Sequence, residues 1–249
     1  MKFIEAFWEK RNLGLSTLEI EFDDNEEINY FTLEPKLKKY EYVVVKVPVG
    51  NIKMSHLLEQ NGFKFMESQI SIKKNLRGYS KENDYFNKFL EKISIQQIID
   101  KSSLEKLLSL IDEDMFNTDR ISLDQCFGKK KAMLRYKNWI RDEFNVNKSE
   151  LYELVYQDNK VGFFLIKDNQ KDEMDALLGG VYTKFKGWGM GLSMIQKLIE
   201  IAIEKNKKSL KGKISSNNIP IIKLYNLYGF EIYDIKYVFR KINREVINI

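Results

Sequence analysis

Residues 178–192 read Leu-Gly-Gly-Val-Tyr-Thr-Lys-Phe-Lys-Gly-Trp-Gly-Met-Gly-Leu, so an apolar segment enters a glycine-spaced loop and an amphipathic pattern follows at once. That order predicts a strand, a loop of backbone N–H groups and a helix N-terminus, a combination that binds phosphate. The glycines let the main chain approach an anion closely, and the helix dipole favours negative charge there. Further along stands Tyr225. Its phenol titrates near ~10 when unperturbed, which suits a proton donor to a weakly acidic leaving group.

The flanking pattern supplies the elements that must hold these groups. Residues 173–182 read as the strand before the loop, and Leu192, Ile195, Leu198, Ile199 and Ala202 mark one face of the helix after it. A short strand is expected over 210–215 and a short helix over 220–228, ended by Gly229, with a long strand over 230–241. Upstream, 151–156 and 161–167 flank the turn residues Gln157-Asp158-Asn159-Lys160 and predict a hairpin. Helices are expected over 95–112 and 129–144, separated by an irregular, acid-rich stretch. In the first third, strands are expected over 17–22, 42–47 and 63–73, with a helix over 51–61.

Two stretches repeat this grammar. Residues 43–74 and 210–241 both read strand, short helix, Gly-Phe, long strand, with Gly62-Phe63 matching Gly229-Phe230. In that alignment Leu58 falls on Tyr225, and no glycine loop precedes the earlier copy. The expectation is an internal duplication in which only the C-terminal copy kept chemistry. The domains are then residues 1–75 as a degenerate N-terminal half-domain, 76–92 as a linker and 93–249 as the catalytic domain.

Composition narrows the alternatives. The 249 residues are 43% hydrophobic and 13% aromatic, enough for a packed core. The net charge of +5 comes from 41 basic and 36 acidic residues without a long single-sign block, so nucleic acid is not an expected partner. Cys126 is the only cysteine and His56 the only histidine, which argues against a thiolate or histidine metal centre and against a serine–histidine triad. No metal is expected. No apolar run approaches the ~20 residues of a membrane helix, and Glu5 follows the start too soon for a secretory segment, so a cytoplasmic protein with no membrane partner is expected.

Taken together, Lys186-Gly187-Trp188-Gly189-Met190-Gly191, the preceding strand, the following helix, and Asn218 and Tyr225 ahead of Gly229-Phe230 resemble the GCN5-related N-acetyltransferase (GNAT) superfamily. Its loop pattern is Arg/Gln-x-x-Gly-x-Gly/Ala; here lysine stands at the first position, keeping the charge but losing the planar fork. The likeness spans about residues 93–242. A narrower resemblance, carried by Asp119-Arg120, Asp124, Phe127, Tyr136 and Trp139-Ile140, is to the TDP-fucosamine acetyltransferase group.

The resemblance implies a mixed α/β acyltransferase fold, a curved sheet flanked by helices, with a smaller related N-terminal half-domain. It implies acetyl-CoA as co-substrate, its pyrophosphate on Lys186, Gly187, Trp188, Gly189, Met190, Gly191 and Leu192. Val181 would polarise the thioester carbonyl, a contribution of ~3 kcal/mol for such donors. Asn218 would contact the coenzyme arm, and Tyr225 would protonate the departing thiolate. The acceptor expected is the amine of a nucleotide-linked amino-deoxy sugar, with Arg120 on the diphosphate and Asp119 and Asp124 orienting the sugar or relaying the amine proton. A peptide, lysine or polyamine acceptor is the alternative, with Glu173 as its nominated base, as is a non-catalytic acyl-CoA-binding domain. A homodimer is a further expectation, because sheet edges need cover.

Overall fold

The computed structural model describes residues 1–23, 30–79, 90–169 and 172–243. The expected linker over 76–92 therefore lies mostly outside the described residues. Ten strands form one sheet: β1 (Lys2–Glu5), β2 (Thr17–Glu21), β3 (Tyr42–Pro48), β4 (Lys64–Asn75), β5 (Ile93–Gln97), β6 (Glu150–Tyr156), β7 (Asn159–Asp168), β8 (Glu173–Val181), β9 (Ser209–Ser215) and β10 (Glu231–Ile242). The helices are α1 (Trp8–Leu13), α2 (Tyr30–Leu37), α3 (Ile52–Gln60), α4 (Lys101–Ser109), α5 (Arg120–Leu123), α6 (Gly128–Val146), α7 (Met190–Glu204) and α8 (Ile219–Leu227).

Most elements lie where the pattern put them. The hairpin turn is tighter than expected: Gln157 and Asp158 alone make it, both at positive φ (47° and 63°), the geometry of a two-residue type I′ turn. One expectation is corrected. The helix predicted to begin at 95 begins at Lys101, because Asp100 caps it by accepting the Ser103 N–H at 3.0 Å, and residues 93–97 instead pair with β6. The stretch expected to be irregular contains α5, capped by Asp119. β1, α1 and α2 were not expected.

The strand order is β1-β2-β3-β10-β4-β9-β8-β7-β6-β5. All neighbours are antiparallel except β2–β3 and β8–β9. β4, from the N-terminal half of the sequence, lies against β9, and β10, from the C-terminal half, lies against β3. The halves thus exchange their last strands, and no sheet edge separates them.

The register shows the duplication directly. The offset that carries Gly62 onto Gly229 carries the β3–β10 pair Val47↔Tyr237 onto the β9–β4 pair Ile214↔Ile70, and likewise every other pair of those two ladders. It also carries one β4–β10 bulge onto the other, so the extra residue is Met66 in β4 and Tyr233 in β10. An approximate two-fold axis passes through the central pair Gln69↔Lys236.

Each half has its own core. Leu18, Ile20, Val43, Val45, Phe63 and Phe239 pack in the N-terminal half, and α7 buries Ile195, Leu198, Ile199 and Ala202 against Phe163, Leu165 and Leu210 in the other. Buried ion pairs fasten the segment before α6 to the rest. Arg120 meets Glu19 of β2 at 2.7 Å, and Arg240 of β10 holds Asp124 through both oxygens at 2.7 and 2.8 Å.

Candidate active site

Two features of β8 open the sheet. Leu177 is an extra residue in the β7–β8 ladder, between the pairs Leu165↔Leu178 and Ile166↔Ala176. Parallel pairing with β9 ends at Ala176↔Gly212. Beyond it, residues 178–181 stay paired to β7 on one edge only, so backbone polar groups on the other edge face a cleft. A cavity of about 760 Å³ occupies this opening, within the usual size range for small-molecule sites.

The glycine loop closes one end of the cavity. Gly187 and Gly189 adopt φ of +85° and +77°, which a side chain would strain by ~1 kcal/mol or more. Gly189 is the residue from which α7 starts. An added Cβ at Gly191 would sit 2.8 Å from Leu224 Cδ1, so here glycine admits α8 close to α7. Among the described residues, the N–H groups of Gly187, Gly189, Met190 and Gly191 have no acceptor within the protein, while those of Trp188 and Leu192 donate to Phe185 O and Gly189 O at 3.3 and 3.0 Å. Four unpartnered donors at a helix N-terminus make an anion cradle that fits a pyrophosphate.

Tyr225, on α8, stands on the same wall. Its ring meets Phe230 edge-on at 4.7 Å, and Tyr228 donates its hydroxyl to Leu192 O at 2.9 Å, tying α8 to α7. Burial pushes the Tyr225 phenol up to about 12, so it stays protonated at neutral pH. It is 8% exposed, and no protein group hydrogen-bonds its hydroxyl among the described residues.

The expected site residues divide into two groups. Val181, Lys186, Gly187, Gly189, Met190, Gly191, Leu192, Asn218, Tyr225 and Asp119 all reach the cavity wall. Trp188 does not: its indole is 57% exposed and packs edge-on against Phe185. Lys186 donates its ammonium to Asp114 O, which ties the loop to the segment before α5. Asn218 caps α8 by accepting the Ile221 N–H at 3.3 Å, as Asn51 caps α3 through Met54 N–H at 3.2 Å.

Arg120 and Asp124 do not line the cavity. Arg120 is 8% exposed; it donates to Glu19 and, at 3.2 Å, to Tyr42 Oη. Burial alone would raise Glu19, but Arg120 and Lys46 outweigh it and hold the carboxyl down at about 2. The guanidinium expected on a diphosphate is thus committed inside the protein. Asp124, 2% exposed, is committed to Arg240. Glu173 begins β8, away from the cleft, where Lys211 first and Lys73 next hold its carboxyl below the usual range.

The sequence reading missed Phe116, which lines the cavity and stacks on Tyr136 at 4.2 Å.

No protein-family profile matches the chain. Solved structures do share its fold. A GCN5-related N-acetyltransferase from Sphaerobacter thermophilus superposes with a TM-score of 0.59 at 14% identity over 84% of this chain, which spans only 62% of that protein. One from Kribbella flavida gives 0.58 at 9% identity, covering 91% of this chain and 81% of that one. A tandem GNAT protein from the clavulanic acid biosynthesis pathway gives 0.54 at 9%, covering 90% and 74%. The architecture is therefore that of a tandem GNAT fold, two related halves in one mixed sheet. No helix of the described residues is long and apolar enough to cross a membrane.

Proposed function

We propose that this chain transfers an acetyl group from acetyl-CoA to a primary amine. One observation carries the reading: four unpartnered N–H groups at the start of α7 and the Tyr225 hydroxyl share one cavity, with an open strand edge between them. The donors of Gly187, Gly189, Met190 and Gly191 would hold the coenzyme's pyrophosphate, and the free edge of Gly179–Val181 its pantetheine arm. The coenzyme supplies an activated thioester. The protein then has to position a neutral amine against the carbonyl and return a proton to sulfur, which is the role read for Tyr225.

The acceptor is a finer question. With Arg120 committed to Glu19, the wall around Asp119 favours an amine without a diphosphate, such as a polyamine, a lysine or a peptide N-terminus. A nucleotide-linked amino-deoxy sugar is the second reading, supported by Lys213 and Lys223 on the cavity wall, two cations suited to phosphate. Release of free thiol from acetyl-CoA, measured against nucleotide-linked amino sugars, spermidine and lysine peptides, decides between them. Turnover of none of these, with acetyl-CoA bound tightly, would overturn catalysis in favour of an acyl-CoA-binding role.

A further inference from the structure

A second cavity, of about 830 Å³, lies where β10 ends and β4 begins, bounded by the residues that join α5 to α6. It shares no lining residue with the cavity beside the glycine loop. Its apolar floor consists of Leu13, Leu15, Phe127 and Ile242, which extend the small core of Tyr42, Val44 and Val238. Its charged groups are of one sign. Lys64, Lys131 and Arg240 line it, and among the described residues no carboxylate does.

Pairing in the sheet makes this arrangement costly. Arg240 of β10 is directly opposite Lys64 of β4, and like charges across an antiparallel pair repel. The two-fold relation between the halves carries this pair onto Lys73 and Glu231, which are opposite in charge. Duplication therefore does not account for two cations here. Asp124 answers Arg240 through Nε and Nη2. The guanidinium Nη1 has no acceptor among the described residues and is not shut away from solvent, although Arg240 is only 9% exposed. Lys64 is exposed and meets no carboxylate among the described residues. Lys131 donates to Leu13 O at 3.4 Å and lies 5.5 Å from the centre of the Phe127 ring, and it too meets no carboxylate there. Two lysine charges are thus left unanswered over an apolar floor.

We propose that this cavity binds a phosphate monoester with an apolar body, at a site separate from acetyl transfer. Such a phosphate is close to dianionic above its second pKa of about 6, which matches the two unanswered lysines. Its oxygens accept from Lys64, Lys131 and Arg240 Nη1, and its body covers Leu15, Phe127 and Ile242. The bound anion also removes the repulsion between Arg240 and Lys64. A carboxylate, with a single charge, answers only half of the surplus.

Cys126 lines the cavity, is exposed and is the only cysteine of the chain, so its alkylation reports occupancy at this place alone. The experiment follows iodoacetamide labelling of Cys126 by mass, at about pH 8 so that the phosphate is dianionic, with phenyl phosphate, inorganic phosphate or phenol added. Phenyl phosphate is expected to slow labelling saturably, at a concentration roughly tenfold below that needed by either of the others, because it joins charge to apolar contact. The double variant Lys64→Gln, Lys131→Gln changes two exposed positions. It should melt like the wild type and need about tenfold or more phenyl phosphate for the same protection. Lys64→Gln alone, with a smaller loss expected, is read if the double variant does not fold. Labelling untouched by phenyl phosphate, slowed as well by inorganic phosphate or phenol, or slowed equally in the folded variant, would overturn the proposal. Neither result depends on whether acetyl-CoA is turned over.

Discussion

Tyr225 occupies the position that Leu58 holds in the duplicated half. Each is buried on the helix that follows the half's parallel strand, and each helix is capped by the matching asparagine, Asn218 or Asn51. Leucine satisfies the packing at that position. A phenol there carries a polar oxygen into a cavity without a protein partner, and packing alone does not account for it.

Tyr225→Phe keeps the ring against Phe230 and removes only the hydroxyl. Thiol release is expected to slow by about 10²-fold or more, the scale of a lost general acid. Calorimetric acetyl-CoA affinity should hold. Unchanged turnover would remove Tyr225 from the chemistry.

Gly189→Ala forces a side chain onto the left-handed residue that starts α7. The strain of ~1–2 kcal/mol falls on the anion cradle. Acetyl-CoA affinity is expected to drop roughly tenfold, with a smaller change in melting temperature, both read on the purified variant.

Asn51→Ala and Asn218→Ala each delete one cap. Both should cost ~1 kcal/mol of stability in denaturant titrations. Because the cap uses the Asn218 side-chain oxygen, its loss should leave acetyl-CoA affinity within about twofold. A larger loss in Asn218→Ala alone would establish a coenzyme contact.

Glu19 predicts the acid limb of stability. Its folded carboxyl is held at about 2 against an ordinary 4.5, so its contribution is complete above 4.5 and lost as pH falls towards 2. Melting temperatures should fall through that window. Glu19→Gln should flatten the decline but destabilise at neutral pH by roughly 3–5 kcal/mol, because Arg120 would then be buried without its partner.

Glu67 has the opposite sign. Its folded carboxyl is raised by burial, so stability is fullest below the ordinary carboxylate range and declines as pH rises through the raised value. Glu67→Gln should therefore melt higher than wild type at neutral pH, a gain that vanishes in acid.

The glycine-loop end of the cavity was legible because its backbone pattern is local. A strand, left-handed glycines and a helix start lie within fifteen consecutive residues, and each leaves a compositional mark. The surroundings of Arg120 and Asp124 were not. Arg120 and Asp124 are residue types that bind phosphates and sugars, yet their partners, Glu19 and Arg240, lie far away in sequence. Only the folded chain shows that they are already paired.

The amino-acid order by itself determined the repeated unit, the hairpin, the glycine loop and the position of Tyr225, since each depends on neighbours in the chain: side-chain periodicity, caps and permitted backbone angles. Tertiary structure decided which strand adjoins β9, and with it that the two halves share one continuous sheet. β4 and β10 carry equivalent patterns, so their pairing is fixed by long-range register and buried charge, which no local window of sequence contains.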